Sequence, residues 1–112
     1  MADAAVLKNI KIKTGVLKRY LKEHACYILE TEKLHAKVEK MKAEAQNDEE
    51  EYRAKKEEEV LQESRSMIGD TARRAAAAVT DLKKALAEAA LEDCQELTDA
   101  NEQLAASAIC TA

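Results

Sequence analysis

The chain has 112 residues, 36 % of them charged, with 18 basic side chains against 22 acidic ones for a formal net charge of −4. That length holds at most one ordinary domain, since domains commonly run to roughly 100–150 residues. Hydrophobic residues make up 46 %, but alanine supplies 22 of them, Phe and Trp are absent, and Tyr20, Tyr27 and Tyr52 are the only aromatics. Such a set cannot fill a core of ordinary globular thickness, whereas it can fill a thin seam between helical rods.

There is no Pro, and Gly15 and Gly69 are the only glycines, so the punctuation that a sheet protein needs at its turns is missing. Enrichment in Ala, Glu, Lys and Leu with a period of 3.5 to 3.6 marks long helices. The fold class that follows is all-α, an elongated antiparallel three-helix bundle resembling a coiled-coil rod, in a single domain over residues 1–112. No apolar run approaches the ~18 residues of a membrane span, and the opening MADAAV has no basic flank ahead of a hydrophobic run. The expectation is a soluble cytoplasmic protein with no membrane partner. Cys26, Cys94 and Cys110 are odd in number and lack C-x-x-C spacing, which argues against a disulfide framework or zinc site and for reduced thiols, Cys26 reading as a small buried hydrophobe.

The first helix is predicted over about residues 4–45. Its apolar positions are Val6, Ile10, Leu17, Leu21, then His24 and Ile28, resuming at Leu34, Val38 and Met41. The step from Ile28 to Leu34 reads as a break in heptad phase. About 40 residues at 1.5 Å per residue would span roughly 60 Å, and a helix that long with few large side chains needs partners to be stable.

The second helix is predicted over about residues 48–87. Asn47 or Asp48 can cap it, and Glu49, Glu50 and Glu51 suit the positive end of its dipole. Small or apolar residues follow at Leu61, Ile68, Ala72, Ala75, Val79, Leu82, Leu86 and Ala89, the three-and-four spacing of one buried face. Gly69 reads as lying inside that stripe, where glycine costs roughly 1 kcal/mol against alanine, so a bend in the second helix is expected there.

The third helix is predicted over about residues 91–108, after a connection at 87–91, with its stripe at Cys94, Leu97, Asn101, Leu104 and Ala108. Charge supports an up-down-up topology. Residues 1–22 carry Lys8, Lys11, Lys13, Lys18, Arg19 and Lys22 against Asp3 alone, whereas the chain from Ala87 onward carries six acids and no base. Side by side, the two stretches partly neutralise each other.

Nothing in the sequence assembles a catalytic, metal or cofactor site. His24 and His35 are eleven residues apart, without a companion at ligand spacing. The acids Asp48, Glu49, Glu50 and Glu51 lack the alternation and central Gly of a calcium loop, and two isolated glycines make no phosphate-binding loop. The protein is therefore not expected to be an enzyme. The basic group of residues 8–22 has no aromatic interleaving, which disfavours nucleic acid and leaves two readings, a patch facing an acidic protein or a face paired with the acidic third segment. What remains is surface recognition, for which polar residues near the expected bend are the candidates: Gln62, Glu63, Arg65, Ser66, Asp70, Arg73 and Arg74 surround Met67 and Ile68. Arginine is enriched at binding hot spots.

Three blocks give a more specific reading. KIKTGVLKR at residues 11–19, VEKMKAE at 38–44 and LQESRSMIGD at 61–70 closely resemble, in order and separation, the tubulin-binding cofactor A (tubulin-specific chaperone A) family. The resemblance covers about residues 8–86, the first and third blocks being the specific ones. It implies a monomeric or homodimeric three-helix rod without enzymatic activity. Such a protein captures β-tubulin after chaperonin release, holds it, and passes it to other tubulin-folding cofactors for assembly of the αβ heterodimer. In the family a proline commonly kinks the second helix, between an Ile and an Asp, and tubulin contact is attributed to helix faces; here that position is Gly69, which permits a bend without forcing one. On this reading Gln62, Glu63, Arg65, Ser66, Asp70, Arg73 and Arg74, helped by Lys11, Lys18 and Arg19, contact β-tubulin. The competing readings are a structural coiled-coil subunit or self-associating scaffold and, more distantly, a binder of nucleic acid or a membrane surface through the basic stretch.

Overall fold

The structure, a computed structural model, describes the backbone of residues 3–111 and the side chains of residues 3–108. The first two residues of the MADAAV opening and the side chain of Cys110 lie outside the described residues. Three helices account for almost all of it: α1 (Ala4–Glu44), α2 (Asp48–Ala89) and α3 (Gln95–Thr111), with no strand among the described residues.

The helix ends follow from local chemistry. Asp3 caps α1, its Oδ1 accepting the Ala5 amide at 3.2 Å. Asn47 caps α2 through Oδ1, which accepts the Glu50 amide at 2.8 Å, while the Glu50 carboxylate reaches back to the Gln46 amide at 2.8 Å. Two otherwise unpaired amides are thereby satisfied, and four acids occupy the first turn of α2, where the helix dipole favours them. The helix closes at Ala90, whose φ of 46° is left-handed, a conformation costing a residue with a β-carbon roughly 1–2 kcal/mol. The connection therefore runs over residues 90–94, overlapping the expected 87–91 only at 90 and 91, and α3 starts at Gln95 rather than near Leu91. No glycine marks this stop. The α2 helix runs through Gly69 without interruption, and neither glycine has a positive φ.

The chain divides into two compact units, one of Met1–Glu23 with Thr71–Ala112 and the other of His24–Asp70. In the first, α1 and α2 run antiparallel and α3 joins them around Ile10, Leu17, Ala75, Leu82 and Ala100, all fully buried. Leu21, Leu86, Leu91 and Leu104 pack against this cluster. Lys13 pairs with Asp81 across α1 and α2 at 2.5 Å. Lys11 of α1 shares a cleft with Glu96 and Asp99 of α3, so the basic and acidic stretches do meet there.

The second unit is a two-helix hairpin. Val38, Ala54 and Leu61 are its buried apolar residues, and polar contacts supply much of the rest. Thr31 and Ser64 join their hydroxyls at 2.7 Å, and Nδ1 of His24 donates to the Ile68 carbonyl at 3.2 Å. Lys37 pairs with Glu57 and Lys42 with Glu58. From His24–Ile68 through Thr31–Ser64 to Lys37–Glu57 the partner's number falls on α2 as it rises on α1, which is the antiparallel arrangement.

Burial follows a seven-residue repeat that the apolar pattern alone misreads. In α1 it runs through Ile10, Leu17, His24, Thr31 and Val38; in α2 through Ala54, Leu61, Ile68, Ala75 and Leu82, with Ser64 and Thr71 also inside. The expected phase break between Ile28 and Leu34 is absent, because Thr31 holds the seam position and Ile28 is exposed. Gly69 lies one residue past the seam position Ile68 and is half-buried beside it. In α3 the buried positions are Ala100 and Ser107, not Asn101 and Ala108. Cys26, expected inside, is exposed.

Candidate partner-binding surface

The ten residues proposed from sequence fall into both units. Gln62, Glu63, Arg65 and Ser66 are exposed on α2 of the second unit, and Asp70 is half-buried there. The first unit carries Arg73 and Arg74, exposed on α2, and Lys11, Lys18 and Arg19, exposed on α1.

Their positions in the seven-residue repeat separate them further. Gln62, Glu63 and Ser66 follow the seam residue Leu61 by one, two and five positions, which turns them away from α1. Arg65 flanks the seam instead, and its guanidinium donates to Nδ1 of His35 at 3.3 Å. Arg19 lies 5.1 Å from the centre of the Tyr20 ring, a cation–π distance that holds the guanidinium along the helix surface.

Sequence reasoning missed a set of exposed large apolar side chains. Leu29 is 58 % exposed and Ile12 55 %, joined by Ile28, Tyr52 and Val60. Each falls off the seven-residue repeat, so the signal that finds them is the repeat itself, once Thr31 is admitted to it beside His24.

His24 and His35 are engaged separately, with the Ile68 carbonyl and Arg65. Among the described residues no group of three or more His, Cys, Asp or Glu is placed to hold a metal ion, and no helix is long and apolar enough to cross a membrane. The clefts include an open one of about 260 Å³ between Met41, Glu44, Ala45, Glu50 and Arg53, and one of about 330 Å³ around Leu7 and residues 89–94. Neither is an enclosed, apolar site of the kind that buries a small ligand. Long helix faces are what the chain presents.

A protein-family model described as tubulin binding cofactor A matches residues 5–104. The chain belongs to the tubulin-binding cofactor A family. Among curated members, the tubulin-specific chaperone A of Rattus norvegicus is 50 % identical over 101 residues, covering 89 % of this chain and 90 % of the relative. The crystal structure of tubulin folding cofactor A from Arabidopsis thaliana superposes with a TM-score of 0.83 at 37 % identity, covering 96 % of this chain and 99 % of the other. Human tubulin chaperone cofactor A gives a TM-score of 0.73 at 42 % identity, over 89 % and 95 % of the two chains. The family is one of tubulin-binding chaperones, and the three-helix, strand-free architecture of this member is that of its solved relatives.

Proposed function

We propose that this cofactor A family member captures β-tubulin after chaperonin release, holds it without catalysis, and hands it on to other tubulin-folding cofactors for αβ heterodimer assembly. The match of the tubulin binding cofactor A model to residues 5–104 carries the reading. The protein works in the cytoplasm in association with the cytoskeleton, as a monomer or homodimer, without a bound cofactor.

The exposed α2 residues Gln62, Glu63, Arg65 and Ser66, with Asp70, form one contact region on the second unit. Arg73, Arg74, Lys11, Lys18 and Arg19 form another on the first. Exposed helix faces holding both charged and apolar side chains are suited to a protein partner, since polar rims around apolar contacts are the usual anatomy of such interfaces.

The deciding experiment is size-exclusion chromatography with light scattering on the purified chain and β-tubulin released from chaperonin. A complex containing β-tubulin and no α-tubulin is expected. A chain that elutes free of tubulin, as a tight self-associated species, overturns the proposal in favour of a structural coiled coil. Association through the basic α1 residues is also expected to slow as ionic strength rises, and a rate independent of salt would remove them from the encounter.

A further inference from the structure

Between Lys8 and Lys22 the chain has no acid. The buried positions of this stretch are Ile10, Thr14 and Leu17. Lys8, Lys11, Gly15, Lys18, Arg19 and Lys22 recur at three- and four-residue spacing on a face beside the buried one, and all are exposed. The face is about 21 Å long at 1.5 Å per residue. None of Lys8, Lys11, Lys18 and Lys22 forms an ion pair among the described residues, although Lys11 lines a cleft with Glu96 and Asp99. Ile12, 55 % exposed, adds one large apolar side chain.

Neither a turn nor a close contact inside the chain calls for glycine at position 15. It lies within α1 without a positive φ, and a β-carbon built on it would meet nothing within 4 Å. A helix-interior glycine destabilises relative to alanine, and no intramolecular contact or turn here offsets that cost. The bare backbone at Gly15 lies in the middle of the basic face, open to an approach from outside the chain.

We infer that this α1 face is a docking surface for a short carboxylate-rich segment of the protein partner, with Gly15 letting that segment approach the helix backbone between flanking lysines. The inference rests on the proposed tubulin-holding role and specifies the chemistry of one contact. A short segment is favoured over a nucleic acid or a lipid surface by dimensions. Charges are felt over roughly 8 Å at physiological salt, so a short segment centred on Gly15 is held mainly by the flanking cations, with Glu96 and Asp99 entering only at the Lys11 edge. An extended polyanion reaches beyond it to α3, where Glu96, Asp99 and Glu102 carry the opposite sign and no base is present. One apolar side chain is also too little for insertion into a bilayer, which takes a continuous apolar helix face.

The test pairs two variants of the full chain with two probes. Gly15→Ala is expected to raise Tm by roughly 2–6 °C while weakening β-tubulin binding by at least about five-fold. Stabilisation with loss of binding is an outcome that a merely structural glycine would not give. The combined Lys8→Gln, Lys11→Gln, Lys18→Gln and Lys22→Gln variant keeps helix propensity and is expected to lose binding to both β-tubulin and poly-L-glutamate. In the wild-type chain, poly-L-glutamate should shift amide resonances of residues 8–22 and few others. Gly15→Ala with unchanged β-tubulin affinity, shifts centred elsewhere, or tighter retention by single-stranded DNA or phosphatidylserine vesicles would each overturn the inference. If β-tubulin binds wild type and both variants alike, this surface is wrong and the holding role stands. If β-tubulin binds none of them, the holding role falls and the poly-L-glutamate mapping still decides the surface.

Discussion

The unit of Met1–Glu23 with Thr71–Ala112 and the unit of His24–Asp70 use the same seven-residue repeat on α1 and α2 but fill it differently. In the first, three helices meet and the repeat is apolar, with Ile10, Leu17, Ala75, Leu82 and Ala100 fully buried. In the second, two helices meet and the repeat passes through His24 and Thr31, which bond to the Ile68 carbonyl and the Ser64 hydroxyl of the facing helix. Apolar burial contributes roughly 25 cal/mol per Å² removed from water, whereas an intramolecular hydrogen bond nets about 1 kcal/mol. The first unit is thus the stable anchor and the second the more easily opened element. Segments poor in buried apolar contacts are where local opening concentrates.

The largest effect that would sharpen this comparison is cavity creation in the anchor. Leu82→Ala is expected to cost about 2–5 kcal/mol, read from urea unfolding followed by helix ellipticity. Leu61→Ala, the equivalent change in the two-helix unit, should cost clearly less, because fewer neighbours surround the deleted atoms. Hydrogen exchange should likewise be slower for amides of residues 71–86 than for residues 52–68. Equal cost and equal exchange would mean that the third helix adds nothing.

Next in size is the polar layer. Thr31→Val removes the partner of the buried Ser64 hydroxyl and should cost about 1–2 kcal/mol. Adding Ser64→Ala should recover part of that loss, because no hydroxyl is then left unsatisfied. A double-mutant cycle with no coupling would show that the two hydroxyls are incidental to the seam. Smaller still is the cap between the helices of the second unit. Asn47→Ala deletes the acceptor for the Glu50 amide and should lower stability by about 1 kcal/mol.

The features most legible in the sequence were those that composition and spacing carry. Missing Pro and Phe, scarce Gly, and apolar residues every three or four positions lead to three helices, and the α2 stripe from Leu61 to Ala89 is buried or half-buried as read. The seam in the middle of α1 was half legible: His24 stands in it as expected, but the polar Thr31 does not show as a seam residue by apolar spacing. A threonine enters a seam only when its hydroxyl is satisfied, and that satisfaction depends on Ser64, thirty-three residues away. The α3 start was hidden for a different reason: the stop is Ala90 in a left-handed conformation, a position usually marked by glycine. The exposed face of α1 was half legible. Its lysines were visible as a charge run, but the open space around Gly15 appears only once the neighbours are placed.

The smallest expected effects come from the ion pairs, and they set a limit on how far charge can substitute for apolar burial. Lys37 and Glu57 approach to 3.2 Å with side chains 59 % and 23 % exposed, and Lys42 and Glu58 to 3.1 Å at 47 % and 40 %. Exposed pairs of this kind contribute roughly 0.2–1 kcal/mol, and less as salt is added. Glu57 is the most sheltered of the four, so Lys37→Gln leaves a carboxylate with restricted access to water and should cost more than Lys42→Gln. A cycle on Lys37 and Glu57 should give a coupling of about 0.5 kcal/mol at low ionic strength that shrinks toward zero near 1 M salt. A coupling that persists at high salt would mean that the second unit is held by a desolvated charge pair, and the contrast between an apolar anchor and a softer polar hairpin would weaken accordingly.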